Sequence, residues 1–183
     1  MGYYGSRDLA ASFRQVRGNT IQIAEDIPEH QYGFKATPDT RSVGQTLAHI
    51  ALSSGFQSHV HRNEIRDLKD VNFLELFETF RAEEAKPRTK AETIALLKAD
   101  GDAFASYMEG LRDAFLAEEV AMPPGAEPAM KTRFEMLLSV KEHEMHHRGQ
   151  LMVLQRMLGL VPHLTSQMQE RMARRAAAAQ ALR

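Results

Sequence analysis

The run Lys141-Glu142-His143-Glu144-Met145-His146-His147-Arg148-Gly149-Gln150 decides how this chain is read. His143 and His147 stand four residues apart, so on a helix their side chains lie one above the other. The stripe they define continues through Met136 and Val140 in one direction and Leu151, Leu154 and Leu158 in the other. Its other members are all apolar, which predicts a long helix that turns two imidazoles into a core. Thr132 and Glu135 form a capping-box pattern at the start of that helix. Gly159 and Pro162 mark its end.

Three further segments carry the same period. Leu9, Phe13, Val16, Thr20, Ile23 and Ile27 fall on one stripe, and Pro28 ends it because a proline cannot continue a helix. Residues 29–41, with Gly33 and Pro38, read as a loop. Ser42 and Gln45 then cap a second helix. Val43, Leu47, Ile50 and Ser54 share one stripe of it, and Gln45, His49, Leu52 and Phe56 share the next. This helix is expected to run to about Arg66. Thr89 and Glu92 cap a third, in which Ile94, Leu97, Gly101, Phe104, Met108, Leu111 and Phe115 repeat by threes and fours. Residues 67–88 connect the second and third helices. Three of the nine phenylalanines lie there (Phe73, Phe77 and Phe80), and with Leu76 they predict a short extra helix packed as a side cover. Residues 122–128 read as a loop, and no strand-like alternation is visible anywhere. The expectation is an all-α four-helix bundle over residues 1–162, followed by an Ala/Arg-rich helical extension over 163–183.

Composition narrows the function. A chain of 183 residues suits one domain with a substantial core. A net charge of -1 argues against a general electrostatic grip on nucleic acid. The chain has no cysteine, which excludes disulfides, thiolate metal sites and cysteine nucleophiles. The first fourteen residues contain no apolar signal core, and no stretch approaches the ~20 apolar residues of a membrane span. A cytoplasmic protein with no membrane or nucleic-acid partner is expected.

Two imidazoles on one inward stripe point to a metal, since neutral imidazole is among the commonest metal ligands. His49 is the best third ligand, because it sits two turns inside the second helix beside Leu52 and Phe56. Three protein ligands with an open position are the pattern of a catalytic site. Gln45, Glu142 and Gln150 are candidates to orient the ligand imidazoles. His146 lies about 100° round the helix from its neighbour and is expected to pair with Glu142 outside the site. His59 and His61 are expected to be solvated, and His30 and His163 to lie in loops. His143-Glu144-Met145-His146-His147 also matches the zinc-protease pattern H-E-x-x-H, in which the glutamate is the general base. Lys141, Glu144 and Arg148 form a charged stripe at three-and-four spacing, so Glu144 is expected instead to pair with Arg148.

At these residues the sequence resembles the DinB-like (DinB/YfiT) superfamily of metalloenzymes. The resemblance rests on the run from Ser42 to Ile50 and on the run from Thr132 to Leu151, above all His143-Glu144-Met145-His146-His147-Arg148-Gly149-Gln150. It implies an up-down-down-up bundle, and a divalent ion held by His49, His143 and His147 with water in the remaining positions. Zinc or nickel is the expected metal, with iron as a further option. The resemblance also implies a homodimer and, for some members, an S-transferase or isomerase that uses a low-molecular-weight thiol; the Lewis acidity of a bound ion, acting on water or on a thiol beside a small-molecule substrate, leaves a hydrolase as a further expectation. A non-catalytic protein braced by its metal is the competing expectation. The chain has no tryptophan, which relatives often carry shortly after the second-helix histidine, and its C-terminal extension is longer than usual.

Overall fold

The structure is a computed structural model and describes residues 4–181. The two last residues of the expected extension lie outside the described residues. In chain order the helices are α1 (Ser6–Asp26), α2 (Val43–Leu52), α3 (Ser54–Arg62), α4 (Phe73–Glu84), α5 (Lys90–Glu109), α6 (Asp113–Leu116), α7 (Arg133–Met157) and α8 (His163–Ala181). Two short strands, β1 (Glu119–Ala121) and β2 (Met130–Thr132), precede α7.

Packing fixes the directions of the bundle. One apolar cluster joins the end of α1 (Ile23, Ile27) to the start of α2 (Val43, Leu47), the start of α5 (Leu97) and the end of α7 (Leu151, Leu154). A second cluster, at the opposite end, joins the start of α1 (Leu9, Phe13), the end of α5 (Phe104, Met108) and the start of α7 (Leu137, Val140). Thus α1 and α7 run one way while α2–α3 and α5 run the other, giving an up-down-down-up four-helix bundle. Parallel neighbours need a crossover, and residues 63–89 supply it. The inward stripes read from the sequence are the ones buried, from Leu9 to Ile27 in α1 and from Met136 to Leu154 in α7.

The caps follow the sequence with one shortfall. Ser42 and Gln45, and likewise Thr89 and Glu92, exchange side-chain and backbone hydrogen bonds reciprocally. Thr132 accepts from the Glu135 N–H at 3.2 Å, but the Glu135 side chain does not return the bond. Gly159 has φ 77°, and the Leu160 N–H reaches back to the Gln155 carbonyl at 2.8 Å. This left-handed turn closes α7.

Three expectations are corrected. The third helix does not carry its repeat through Leu111 to Phe115: it ends at Glu109, and Phe115 lies in the separate short helix α6. The second helix does not run unbroken to Arg66: it is interrupted at Ser53 and ends at Arg62. At the break, the Ile50 carbonyl accepts from the Ser53 N–H, from the Ser53 hydroxyl at 2.8 Å and from Arg17 Nη2 at 3.3 Å. These local bonds compete with the regular ladder. The chain is also not free of strand. β1 and β2 pair antiparallel, with Val120 opposite Lys131, and flank the predicted 122–128 loop. Three-residue strands are too short to show a period-two pattern.

The crossover is structured, as its phenylalanines predict. Val60, Leu68, Val71, Val120 and Met136 form a third apolar cluster, with Phe56, Phe73 and Leu76 packed on it. Phe80 lies directly over Gly55, where an added Cβ would come within 2.6 Å of its ring. Glycine there lets α4 sit close to α3 and brings the end of α4 to the bundle. No described helix is long and apolar enough to cross a membrane.

Candidate metal centre

α2 and α7 bring three imidazoles to one point. His49 Nε2 and His147 Nε2 lie 3.2 and 3.1 Å from His143 Nε2. One ring nitrogen from each falls within 4.8 Å of the other two, and among the described residues no carboxylate belongs to the cluster. His143 and His147 meet because they are one helical turn apart. His49 joins them because α2 packs against α7 with its Leu47 and Ile50 in the shared core.

Outer partners fix the tautomers of two rings. His49 Nδ1 lies 2.9 Å from Glu84 Oε2, and a carboxylate can only accept, so Nδ1 carries the proton. His147 Nδ1 donates to Gln150 Oε1 at 2.7 Å, while Gln150 Nε2 donates to His146 Nε2 at 3.1 Å. Both rings therefore turn Nε2 lone pairs toward His143. A single proton on His143 Nε2 could satisfy only one of them. One cation placed among the three nitrogens satisfies all three. Nitrogens bound to a common ion at 2.0–2.1 Å would be about 3.3 Å apart in a tetrahedral arrangement and about 2.9 Å at right angles. The observed 3.1 and 3.2 Å fall between those values. The donor set thus fits a divalent ion that accepts imidazole.

Electrostatics favour the neutral form of His143 and His147. Burial, followed by the neighbouring His147, His49, His146 and Arg41, lowers the His143 pKa to about 4. Burial also lowers His147, against a raising contribution from its Gln150 bond. Glu84 is the opposite case. Burial works to raise its carboxyl, but hydrogen bonds from Arg41 and His49, with their charges, outweigh this and hold it below the usual range. Glu84 thus stays an anion behind His49, bound on its other side by Arg41 Nε.

Glu144 has a role that the local charge pattern did not reveal. Its side chain is 0% exposed and pairs with Arg17 of α1, whose Nε donates to both carboxylate oxygens at 3.0 Å. Arg148 is not its main partner, and the charged-stripe expectation is corrected. Arg17 also donates to the Leu97 carbonyl of α5 at 2.8 Å and to the Ile50 carbonyl of α2, one residue past His49. One guanidinium therefore ties all four rods together at the level of the three imidazoles. The arrangement also removes the protease reading, because Glu144 is spent on Arg17 and does not line the pocket over the imidazoles.

The remaining candidates sort clearly. Gln45 serves the Ser42 cap, and Glu142 is exposed, so of the three expected orienting residues only Gln150 touches one of the clustered imidazoles. His146 pairs with Gln150 rather than Glu142. His59 is exposed, as expected, but His61 is 1% exposed, which corrects its expected solvation. His61 accepts from buried Arg133 at 3.1 Å and donates to Gln57 at 3.0 Å, and burial with the Arg133 charge lowers its pKa to about 4. His30 lies in a short 3-10 turn, and His163 opens α8 and bonds Asn19. Glu84 and Arg41 were missed altogether. A signal for Glu84 existed, since Phe73, Phe77, Phe80 and Glu84 continue one three-and-four stripe.

A pocket of about 1100 Å³ opens over the three imidazoles. Its walls come from α4 (Phe77, Phe80, Arg81), from α2 and α3 (Leu52, Phe56) and from the loop before α2 (Asp39, Arg41). Its size and concavity suit a small molecule.

Comparison with known proteins agrees with this architecture. Residues 12–151 match the family model of the DinB superfamily. The uncharacterized protein YjoA of Bacillus subtilis is 23% identical over 154 residues, spanning 84% of this chain and 91% of its own length. The crystal structure of that DinB-like protein superposes with a TM-score of 0.61 at 22% identity, covering 82% of this chain and 92% of YjoA. YfiT of Bacillus subtilis, described as a probable metal-dependent hydrolase with an unusual four-helix bundle topology, gives 0.66 at 16% identity, covering 87% of this chain and 91% of YfiT. With the family model spanning most of the chain, the protein belongs to the DinB superfamily.

Proposed function

We propose that His49, His143 and His147 hold one divalent ion, zinc or nickel, and that the protein is a metal-dependent hydrolase of a small molecule. The observation that carries this reading is the convergence of three imidazole Nε2 atoms beneath an open pocket, with no fourth protein ligand in the cluster among the described residues. A structural site would be closed by a fourth ligand, whereas an open position admits water or substrate. When bound there, the ion supplies Lewis acidity that makes water nucleophilic near neutral pH. The chain's own residues orient the ligands: Glu84 holds His49, Gln150 holds His147, and Arg17 holds the helices that carry them. Phe56, Phe77 and Phe80 give the pocket apolar walls. YfiT's description as a probable metal-dependent hydrolase supports the same chemistry.

The test is hydrolysis of 4-nitrophenyl acetate by zinc-loaded and nickel-loaded protein. Turnover above the buffer rate that disappears on chelation, and in His143→Ala, is expected. The absence of metal-dependent turnover would sink the hydrolase reading. If cobalt-loaded protein then gave a thiolate charge-transfer band with added low-molecular-weight thiols, thiol transfer would replace it.

A further inference from the structure

The pocket wall contributed by α4 is chemically divided. Phe77 and Phe80 line the pocket with Phe56 of α3. Phe56, Phe73 and Phe77 stack at centroid distances of 5.8 to 6.3 Å, yet Phe77 remains 52% exposed. An exposed ring at the wall of a concave site is apolar surface suited to an apolar ligand.

Arg81 stands four residues after Phe77 and three before Glu84, on the same helical face. Two arginines line the pocket, and they differ. Arg41 is bound to Glu84, which in turn holds His49. The Arg81 guanidinium has no hydrogen-bond or ion-pair partner among the described residues, although it too lines the pocket. The pocket's other carboxylate, Asp39, accepts from Thr37 Oγ1 at 2.6 Å. Beneath them lie three imidazoles with no acidic ligand, so the charge of a divalent ion there would not be neutralised by its ligands. The site has cationic capacity to spare, beside aromatic surface.

We propose that the pocket selects small carboxylates with an apolar body. The carboxylate sits on Arg81, the body lies against Phe56, Phe77 and Phe80, and the other end of the molecule reaches the imidazole cluster. A single free guanidinium matches the planar fork of one carboxylate. The inference rests on the hydrolase reading for what happens to such a molecule, but not for its binding.

The experiment is titration calorimetry of zinc-loaded full-length protein with 4-phenylbutyrate and with its neutral counterpart, 4-phenylbutyramide. The carboxylate should bind about tenfold tighter, as a charge-assisted pair at a partly solvated site allows. In Arg81→Gln the two ligands should bind within about threefold of each other, and Arg81→Lys should retain part of the preference. Arg81 is exposed, so both variants should keep the wild-type melting temperature. A preference that survives in Arg81→Gln would place the carboxylate on the ion and overturn the proposal. Equal binding of both ligands to the wild type, or binding of neither, would also overturn it. The hydrolase reading fails separately. Inactivity toward neutral 4-nitrophenyl acetate with an intact Arg81-dependent preference sinks that reading alone, and activity without the preference sinks this one.

Discussion

The acceptors behind His49 and His147 differ in charge, and that difference should be measurable. Glu84 is an anion held by Arg41, whereas Gln150 is a neutral amide shared with His146. An anionic acceptor raises the basicity of its imidazole more than an amide does. Glu84→Gln is therefore expected to weaken metal affinity by about 10–100-fold. Gln150→Ala should cost less than Glu84→Gln, and His146→Ala less again. Competition with a chromophoric chelator reads all three, and equal affinities in Glu84→Gln and wild type would show that the contact does not tune the ligand. Protonation gives a second residue-scale expectation. The pKa values of His143 and His61 lie at about 4 in the folded chain, against 6.5 for an unperturbed histidine. The unfolded chain then binds more protons between those values, so the stabilising effect is complete above pH 6.5 and is lost as pH falls toward 4. For fully buried His61 alone this amounts to about 3 kcal/mol. The melting temperature of metal-free protein should fall steadily from pH 7 to pH 4, and a flat profile would contradict the buried, neutral state of these rings. The three converging histidines were legible because two share an inward stripe and the third sits among apolar neighbours. Glu84 was legible only as a member of the Phe73, Phe77 and Phe80 stripe, because its partner is 35 residues away on a separate helix and nothing local fixes how that helix docks.

At the scale of elements, two helical glycines in similar positions should respond in opposite directions to the same change. Gly18 in α1 is exposed, and a Cβ there would meet nothing within 4 Å. Gly18→Ala should stabilise by about 0.5–1 kcal/mol, the usual gain from removing a glycine from a helix interior. Gly101 in α5 is buried against Arg17, and an added Cβ would lie 2.8 Å from Arg17 Cγ and 3.1 Å from Nη1. Gly101→Ala should destabilise by about 1–3 kcal/mol, because overpacking beside an anchored guanidinium outweighs the helical gain. Chemical denaturation of the two variants checks both signs, and stabilisation by Gly101→Ala would contradict the packing described. The helices were legible because their stripes, caps and terminators agree with one another. The interruption at Ser53 was not, since it depends on Arg17 arriving from another helix to bind the Ile50 carbonyl. The β1–β2 pair escaped notice because three residues carry too little pattern.

At the scale of the molecule, Arg17 and Glu144 form a buried pair 127 residues apart in sequence. Removing Glu144 leaves the buried Arg17 charge with two carbonyls and only the more distant Asp100 carboxylate, at 3.8 Å, and breaking a buried pair in this way costs about 3–5 kcal/mol. Glu144→Leu alone should therefore strongly lower the midpoint of denaturation, and Arg17→Met combined with Glu144→Leu should recover much of the loss. Near-additive losses in the double variant would show that the two residues do not act as a pair. The up-down-down-up arrangement was available from the family resemblance and agrees with the directions fixed by the two end clusters. Which polar residues would meet inside the bundle was not available, because Glu144 has a plausible partner in Arg148 on its own helix. Burial against α1 decides otherwise.

The central claim is that His49, His143 and His147 form one metal site, and metal analysis of untagged protein tests it most directly. The wild type should carry close to one divalent ion per chain, and His49→Ala, His143→Ala and His147→Ala should each lose most of it while His146→Ala keeps it. Full occupancy in any of the three ligand variants, or a wild type that takes up no divalent ion when one is supplied, would contradict the account.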